Sequence, residues 1–280
     1  MFLNLIYITN DPAVALVAQD NGVERVMVDL ETLGKEERQK NINSVKSHHT
    51  LGDVAAVARV LDRSELLVRV NPWHEDSPAE VEAVIAAGAK NIMLPMWKTP
   101  EEVDTFLRCV NRRTRTVLLL ETREAMACVD RVLEHPMLEE IHIGLNDLHL
   151  SLGKTFMFEL LVDGTVEALC EKFRAKGVPY GIGGIAKLRK GLVPAANVIM
   201  EHYRLGSRGA ILSRTFCNAE EIGDLEAVKA LFREQMELIR NFEASLPALP
   251  EEAFPENRRE VERFVEETVE LIRKRRAEAN

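Results

Sequence analysis

The chain has little cysteine: four in 280 residues, at 109, 128, 170 and 217, with no paired short spacing among them. Neither a zinc cage nor a disulfide framework is indicated, and a reducing cytoplasm suits the thiols best. Long apolar runs are also missing, and none approaches the ~20 residues that a membrane span requires. The opening run Leu3-Asn4-Leu5-Ile6-Tyr7-Ile8 stops at Asn10-Asp11-Pro12 without a basic leader or a small-residue cleavage site, so it reads as a first strand and not as a secretory segment. Positive charge is in deficit, with 36 Lys and Arg against 45 Asp and Glu and a net charge of −9. That balance argues against nucleic acid as the main partner.

What the chain does have is apolar residues at 46% and charged residues at 29%, the balance of a globular chain with a full core. Its length admits two domains of about 150 residues, or one α/β barrel of about 250. The pattern decides between them. Short Leu- or β-branched runs alternate with longer segments of helical periodicity. Eight strands are expected at 3–9, 25–30, 66–70, 91–94, 116–121, 141–145, 179–182 and 209–212, with helices such as 78–87 and 100–110 between them. Most of these runs are apolar without strict alternation, as parallel strands covered on both faces require. Eight βα units in a row imply an α/β fold, a (β/α)8 TIM barrel.

The barrel takes residues 1–245, which leaves 246–280 for a hinge at Leu246-Pro247-Ala248-Leu249-Pro250 and an extra C-terminal helix from about Asn257. On that helix Val261, Phe264, Val265, Thr268, Val269, Leu271 and Ile272 form one stripe. The stripe either caps its own barrel or crosses to a neighbouring subunit.

In such a barrel the loops after the strand C-terminal ends build the active site. Asp29-Leu30-Glu31, Arg69, Glu121-Thr122 and Gly144-Leu145-Asn146-Asp147 all fall at these ends. Glu121 and Asp147 close consecutive strands, and two carboxylates side by side repel unless a cation lies between them. Carboxylate-only ligation favours Mg²⁺ or Mn²⁺, with the alternative that both are ordinary strand-end acids. A guanidinium leaving an apolar strand needs an anion, so Arg69 meets either a substrate carboxylate or Asp29 or Glu31. Tyr180-Gly181-Ile182-Gly183-Gly184-Ile185-Ala186, with Glu201 further on, resembles a dinucleotide fingerprint but occupies the seventh repeat. It reads better as a tight turn whose bare backbone admits an anionic ligand. His48 and His49 are candidates for a general base, or are simply solvated. The charges of 98–104 and 108–115 read as solvated helix faces, and Trp73 and Trp97 as pocket walls or rim packing.

Five ordered motifs carry a resemblance: Asp29-Leu30-Glu31, Arg69-Val70-Asn71-Pro72, the run from Gly88 to Met96, the run from Leu120 to Met126, and the run from Ile143 to Gly153. Over residues 23–153 the chain resembles the HpcH/HpaI aldolase and citrate lyase beta-subunit family. The resemblance implies a phosphoenolpyruvate/pyruvate-type barrel that binds a 2-oxo acid on a divalent metal. Glu121 and Asp147 would be the metal ligands, Arg69 would hold the keto-acid carboxylate or enolate oxygen, and the backbone of Gly144, Leu145, Asn146 and Asp147 would hydrogen-bond the carboxylate. The implied chemistry is carbon–carbon bond cleavage or formation through a pyruvate- or oxaloacetate-type enolate, with an aldehyde or thioester as electrophile. A homo-oligomer, trimer or hexamer, goes with it.

The chain departs from the aldolase branch at several places. Thr32 stands where that branch keeps its basic histidine, Ala86 where the histidine's acidic partner is expected, Leu119 for a glutamine and Leu145 for a proline. Asp29-Leu30-Glu31 with Lys35 and Arg38 is similar to the citrate-lyase-like branch, although Thr32 departs there too. The candidates for proton transfer are Glu31, His48 and His49, in that order. The alternatives are citrate-lyase-like or citrate-synthase-like chemistry on a larger acid or thioester, and a keto-acid-binding barrel that has lost turnover.

Overall fold

Eight parallel strands follow one another in chain order round a closed barrel, and a computed structural model describes residues 2–34, 49–188 and 191–278 of it. Lys35, Arg38 and His48 lie outside the described residues. The fold is a (β/α)8 barrel with an additional C-terminal helix. By internal packing the chain divides into two units, Leu5–His142 and Met1–Asn4 with Ile143–Asn280.

The first unit holds most of β1 (Asn4–Ile8), α1 (Pro12–Asp20), β2 (Arg25–Asp29), α2 (Leu51–Ala58), β3 (Glu65–Arg69), α3 (Ser77–Ala86), β4 (Asn91–Leu94), α4 (Pro100–Val110), β5 (Arg115–Leu120), α5 (Arg123–Val132) and most of β6 (Glu140–Ile143). Every residue of β2 and β4 is buried. This is why these runs lack polar alternation: each side chain meets either the barrel interior or a covering helix. At the strand N-termini the buried Arg25 forks onto Glu140 at 2.7 and 2.8 Å and reaches Glu65 at 3.4 Å. Burial opposes the charge of Arg25, but the two glutamates outweigh it and raise the guanidinium's pKa. Thr99 and Glu102 form a capping box at the start of α4, and Asn111 ends that helix in the left-handed region. The charges of 108–115 are therefore not one helix face, because α4 stops at Val110, Arg113 pairs with Glu82, and Arg115 opens β5.

The second unit holds α6 (Leu145–Ser151), α7 (Glu159–Val162), α8 (Thr165–Lys176), β7 (Tyr180–Ile185), α9 (Ala195–Leu205), β8 (Gly209–Leu212), α10 (Ala219–Ile222), α11 (Leu225–Ser245) and α12 (Ala253–Glu278). The glycine run at 181–184 is not a tight turn. It belongs to β7, which is bulged against β8 between Gly181 and Gly184. A Cβ on Gly183, whose φ is +40°, would lie 2.7 Å from Leu145 Cδ1, and one on Gly184 would lie 2.9 Å from the Ile211 carbonyl. Close packing against Leu145 and Ile211 accounts for both glycines.

The last helix begins at Ala253, earlier than the expected Asn257. Pro255 falls in its first turn, where the amide hydrogen that proline lacks would have had no partner. Val261, Val265, Thr268 and Val269 are buried within this unit, against α9 and α7. Leu271 is not part of the buried stripe, being 41% exposed. Asn257 lies between Asn197 and Glu201, and Arg258 reaches the Leu161 and Val162 carbonyls. Glu201 is thus a buried partner of Asn257 and Arg204, not an acid awaiting a ribose.

Candidate active site

β2 and β3 run in register with Asp29 beside Arg69, so the last residues of these strands emerge side by side at the C-terminal rim. Arg69 places Nε 2.9 Å from Asp29 Oδ1 and Nη2 2.8 Å from Oδ2. Glu31 stands behind this pair, with Oε2 3.4 Å from Arg69 Nε and its amide donating to Asp29 Oδ1 at 3.2 Å. Asp29 and Glu31 are each only 3% exposed. Burial by itself would lower the pKa of Arg69. The charge and hydrogen bonds of Asp29, then the charges of Glu31 and Glu121, reverse the sign and fix the guanidinium as a cation. Nη1 is left with no hydrogen-bond partner among the described residues, its N–H groups directed away from the Asp29 fork.

Backbone chemistry explains the place of His49. Thr9 donates to Met27, but β1 has ended before it could serve the next amide of β2 on that side. His49 Nδ1 accepts this Asp29 N–H at 3.0 Å. Beyond His49, Thr50 caps α2 and Asp53 answers it in a capping box. Burial would raise the Asp53 pKa, but hydrogen bonds from the Thr50 amide and hydroxyl and from the Asn10 amide outweigh it and hold the carboxyl below its ordinary value.

Glu121 follows β5 directly and is 3% exposed. Its Oε1 accepts the amide of Met96 at 3.0 Å, and Met96 holds a left-handed φ of 54°. Thr122 caps α5 through Ala125 N–H and donates its hydroxyl to the Trp97 carbonyl at 2.8 Å. Two adjacent bonds therefore lash the loop after β4 to the loop after β5, and they offset the cost of the Met96 conformation. Trp97 is core, 1% exposed, whereas Trp73 is half-buried in a T-shaped contact with Phe106.

The loop after β3 is anchored by Asn71. Its Oδ1 accepts from Thr32 N, Thr32 Oγ1 and Leu33 N, while its own amides donate to Glu80 on α3. His74 follows on this loop, with Nδ1 2.9 Å from the Pro72 carbonyl and 2.8 Å from Ser77 Oγ. Sequence reasoning missed His74; the signal was a histidine just past a strand end, inside a turn closed by proline and serine.

In the second unit, Gly144 precedes α6, and Leu145, Asn146 and Asp147 form its first turn, where amides have no helical acceptor. Asp147 is thus a first-turn helix residue; β6 itself ends at Ile143. Leu145 is buried, Asn146 exposed and Asp147 half-buried. No group of three or more His, Cys, Asp or Glu that would hold a metal by itself occurs among the described residues. Glu121 is a buried oxygen donor steadied by one backbone amide, and such oxygens suit a hard divalent cation.

The profile of the HpcH/HpaI aldolase/citrate lyase family matches residues 3–176. The chain belongs to this family. Its fold is similar to that of an HpcH/HpaI aldolase from Desulfitobacterium hafniense DCB-2, with 14% identity, a TM-score of 0.62, and 82% of this chain and 93% of the other covered. An HpcH/HpaI aldolase/citrate lyase family protein from Burkholderia cenocepacia J2315 gives 17%, 0.60, 81% and 95%. Macrophomate synthase gives 16%, 0.55, 82% and 84%. No curated protein matches the chain. Within the HpcH/HpaI aldolase/citrate lyase family, a family of aldolases and lyases acting on small molecules, this member carries an exposed Thr32 bonded to Asn71, and an exposed Ala86 as the last residue of α3.

Proposed function

We propose that this protein is a divalent-metal-dependent carbon–carbon lyase or aldolase acting through the enolate of a pyruvate- or oxaloacetate-type 2-oxo acid. The observation that carries the reading is the Arg69 fork: Asp29 fixes Nε and Nη2, and among the described residues nothing takes Nη1, which is left for an anion at the strand C-terminal rim. A guanidinium held this way is preorganised for charge that develops on the substrate oxygen, and pays no reorganisation when it appears. Glu121 is the first metal ligand in this reading, and its buried carboxylate supports the role. Asp147 is the second, assigned by its place in the family motif. The amides of Gly144, Leu145, Asn146 and Asp147 take the substrate carboxylate on the same basis. Mg²⁺ or Mn²⁺, when bound, supplies the Lewis acidity that polarises a 2-oxo group.

The electrophile is an aldehyde or a thioester. Assembly into a trimer or hexamer belongs to the same proposal and rests on the resemblance. A cytoplasmic setting is supported by four free cysteines.

Thr32 and Ala86, standing in place of the aldolase dyad, favour a second reading: a barrel that binds the keto acid without turnover. Incubation with pyruvate and Mg²⁺ in D₂O separates the two. Loss of the methyl proton signal, abolished by EDTA and in Glu121→Gln, supports the lyase. Metal-dependent pyruvate binding with neither exchange nor oxaloacetate decarboxylation supports the binder.

A further inference from the structure

Thr32 stands where the family keeps a histidine on the loop after β2, and the loop after β3, bonded to Thr32 through Asn71, carries a histidine of its own, His74. We propose that His74 is the proton-transfer residue of this site, an inference that rests on the enolate reading above. A carbonyl oxygen only accepts, so the 2.9 Å contact between His74 Nδ1 and Pro72 O places the ring hydrogen on Nδ1. Ser77, itself 2% exposed, braces the same edge: its Oγ lies 2.8 Å from Nδ1 and accepts the His74 amide at 2.9 Å. The neutral ring therefore presents its lone pair at Nε2, which takes no hydrogen bond among the described residues.

His49 is held the opposite way. Its Nδ1 accepts the Asp29 amide, so the neutral ring carries its hydrogen on Nε2 and has no lone pair there to receive another. The loop that bears His74 is bonded to the very residue that replaces the family's base, since Asn71 Oδ1 takes both the amide and the hydroxyl of Thr32 at 2.9 and 3.2 Å. Arg69 closes the strand from which this loop departs.

With pyruvate, His74 Nε2 takes a proton from C3. The C3–H electron pair becomes the C2–C3 double bond, and negative charge moves to the 2-oxygen, which Arg69 stabilises. In cleavage of a 4-hydroxy-2-oxo acid, the same lone pair takes the hydroxyl proton as the C3–C4 bond breaks. Aldehyde leaves, and the imidazolium returns its proton to C3 of the enolate.

Two rates measured with Mg²⁺ test this assignment: methyl H/D exchange of pyruvate, which needs a base, and CO₂ release from oxaloacetate, which does not. In His74→Gln the ratio of exchange to CO₂ release should fall about 100-fold or more against the wild type. A ratio within about threefold of wild type, with both rates kept or both lost in parallel, overturns the proposal. A wild type inactive in both reactions instead brings down the enolate reading, and this assignment with it. Long-range ¹H–¹⁵N spectra at neutral pH should show His74 as the Nδ1–H tautomer; an Nε2–H ring at that position also overturns it.

Discussion

Arg69 and Asp29 meet as a two-point fork at 2.9 and 2.8 Å, the last residues of two paired strands. Replacing Asp29 by Asn keeps the shape and removes the charge. Arg69 then loses its orientation, and a buried cation its chief partner, a loss that costs about 3–5 kcal/mol when such a pair is broken. Oxaloacetate decarboxylation should drop by at least about tenfold, with a lower melting temperature. Undiminished decarboxylation by Asp29→Asn would show that the fork does not prepare Arg69 for substrate.

Glu121→Gln should weaken Mn²⁺ binding by at least about tenfold, measured by the free-Mn²⁺ signal in electron paramagnetic resonance. The fold should survive, because the amide oxygen still accepts from Met96 N. Unchanged Mn²⁺ affinity would remove Glu121 from the ligand set.

Gly183 and Leu145 form a tight pair, in which an added Cβ would approach Leu145 Cδ1 to 2.7 Å. Gly183→Ala should destabilise by about 1–3 kcal/mol through overpacking and a left-handed backbone. Adding Leu145→Ala should recover part of that loss in a double-mutant cycle of urea unfolding. Strict additivity would place the strain elsewhere.

Asp53 supplies a pH-dependent term. Its folded carboxyl titrates below its ordinary value of 3.8, so its stabilisation is present above that value and is lost as pH falls through the lower folded one. Asp53→Asn should cost about a few tenths of a kcal/mol near neutrality, and the difference from wild type should vanish in strong acid. Calorimetry across this range checks it, and a gap independent of pH would contradict the assignment.

Removing the chain from Pro255 onward strips Val261, Val265 and Val269 from α9 and α7. Each buried valine contributes at most about 1.5–3 kcal/mol, so the truncated protein should unfold at markedly lower temperature. Light scattering should show an unchanged number of subunits; a smaller assembly would mean that this helix also bridges subunits.

Most of the eight strands were legible because burial on both faces writes itself into the chain as apolar runs, and all eight overlap the expected segments, although β6 carries His142 and β7 three glycines. The rim was legible for a similar reason: a charged residue directly after an apolar run must leave the barrel at its open end, as Asp29, Arg69 and Glu121 do. The start of the last helix was missed because Pro255 reads as a barrier, although a first turn tolerates it.

The amino-acid order alone determined the repeating architecture, the family motifs and the residues at the strand ends, since these depend on hydrophobic period and local spacing. Only the tertiary structure decided that Arg69 forks onto Asp29, that the 181–184 glycines make room for Leu145 and Ile211, and that His49 Nδ1 meets a backbone amide while His74 Nδ1 meets a backbone carbonyl. Each of these depends on which donor or atom arrives from a distant loop, and hydrophobic periodicity carries no record of that.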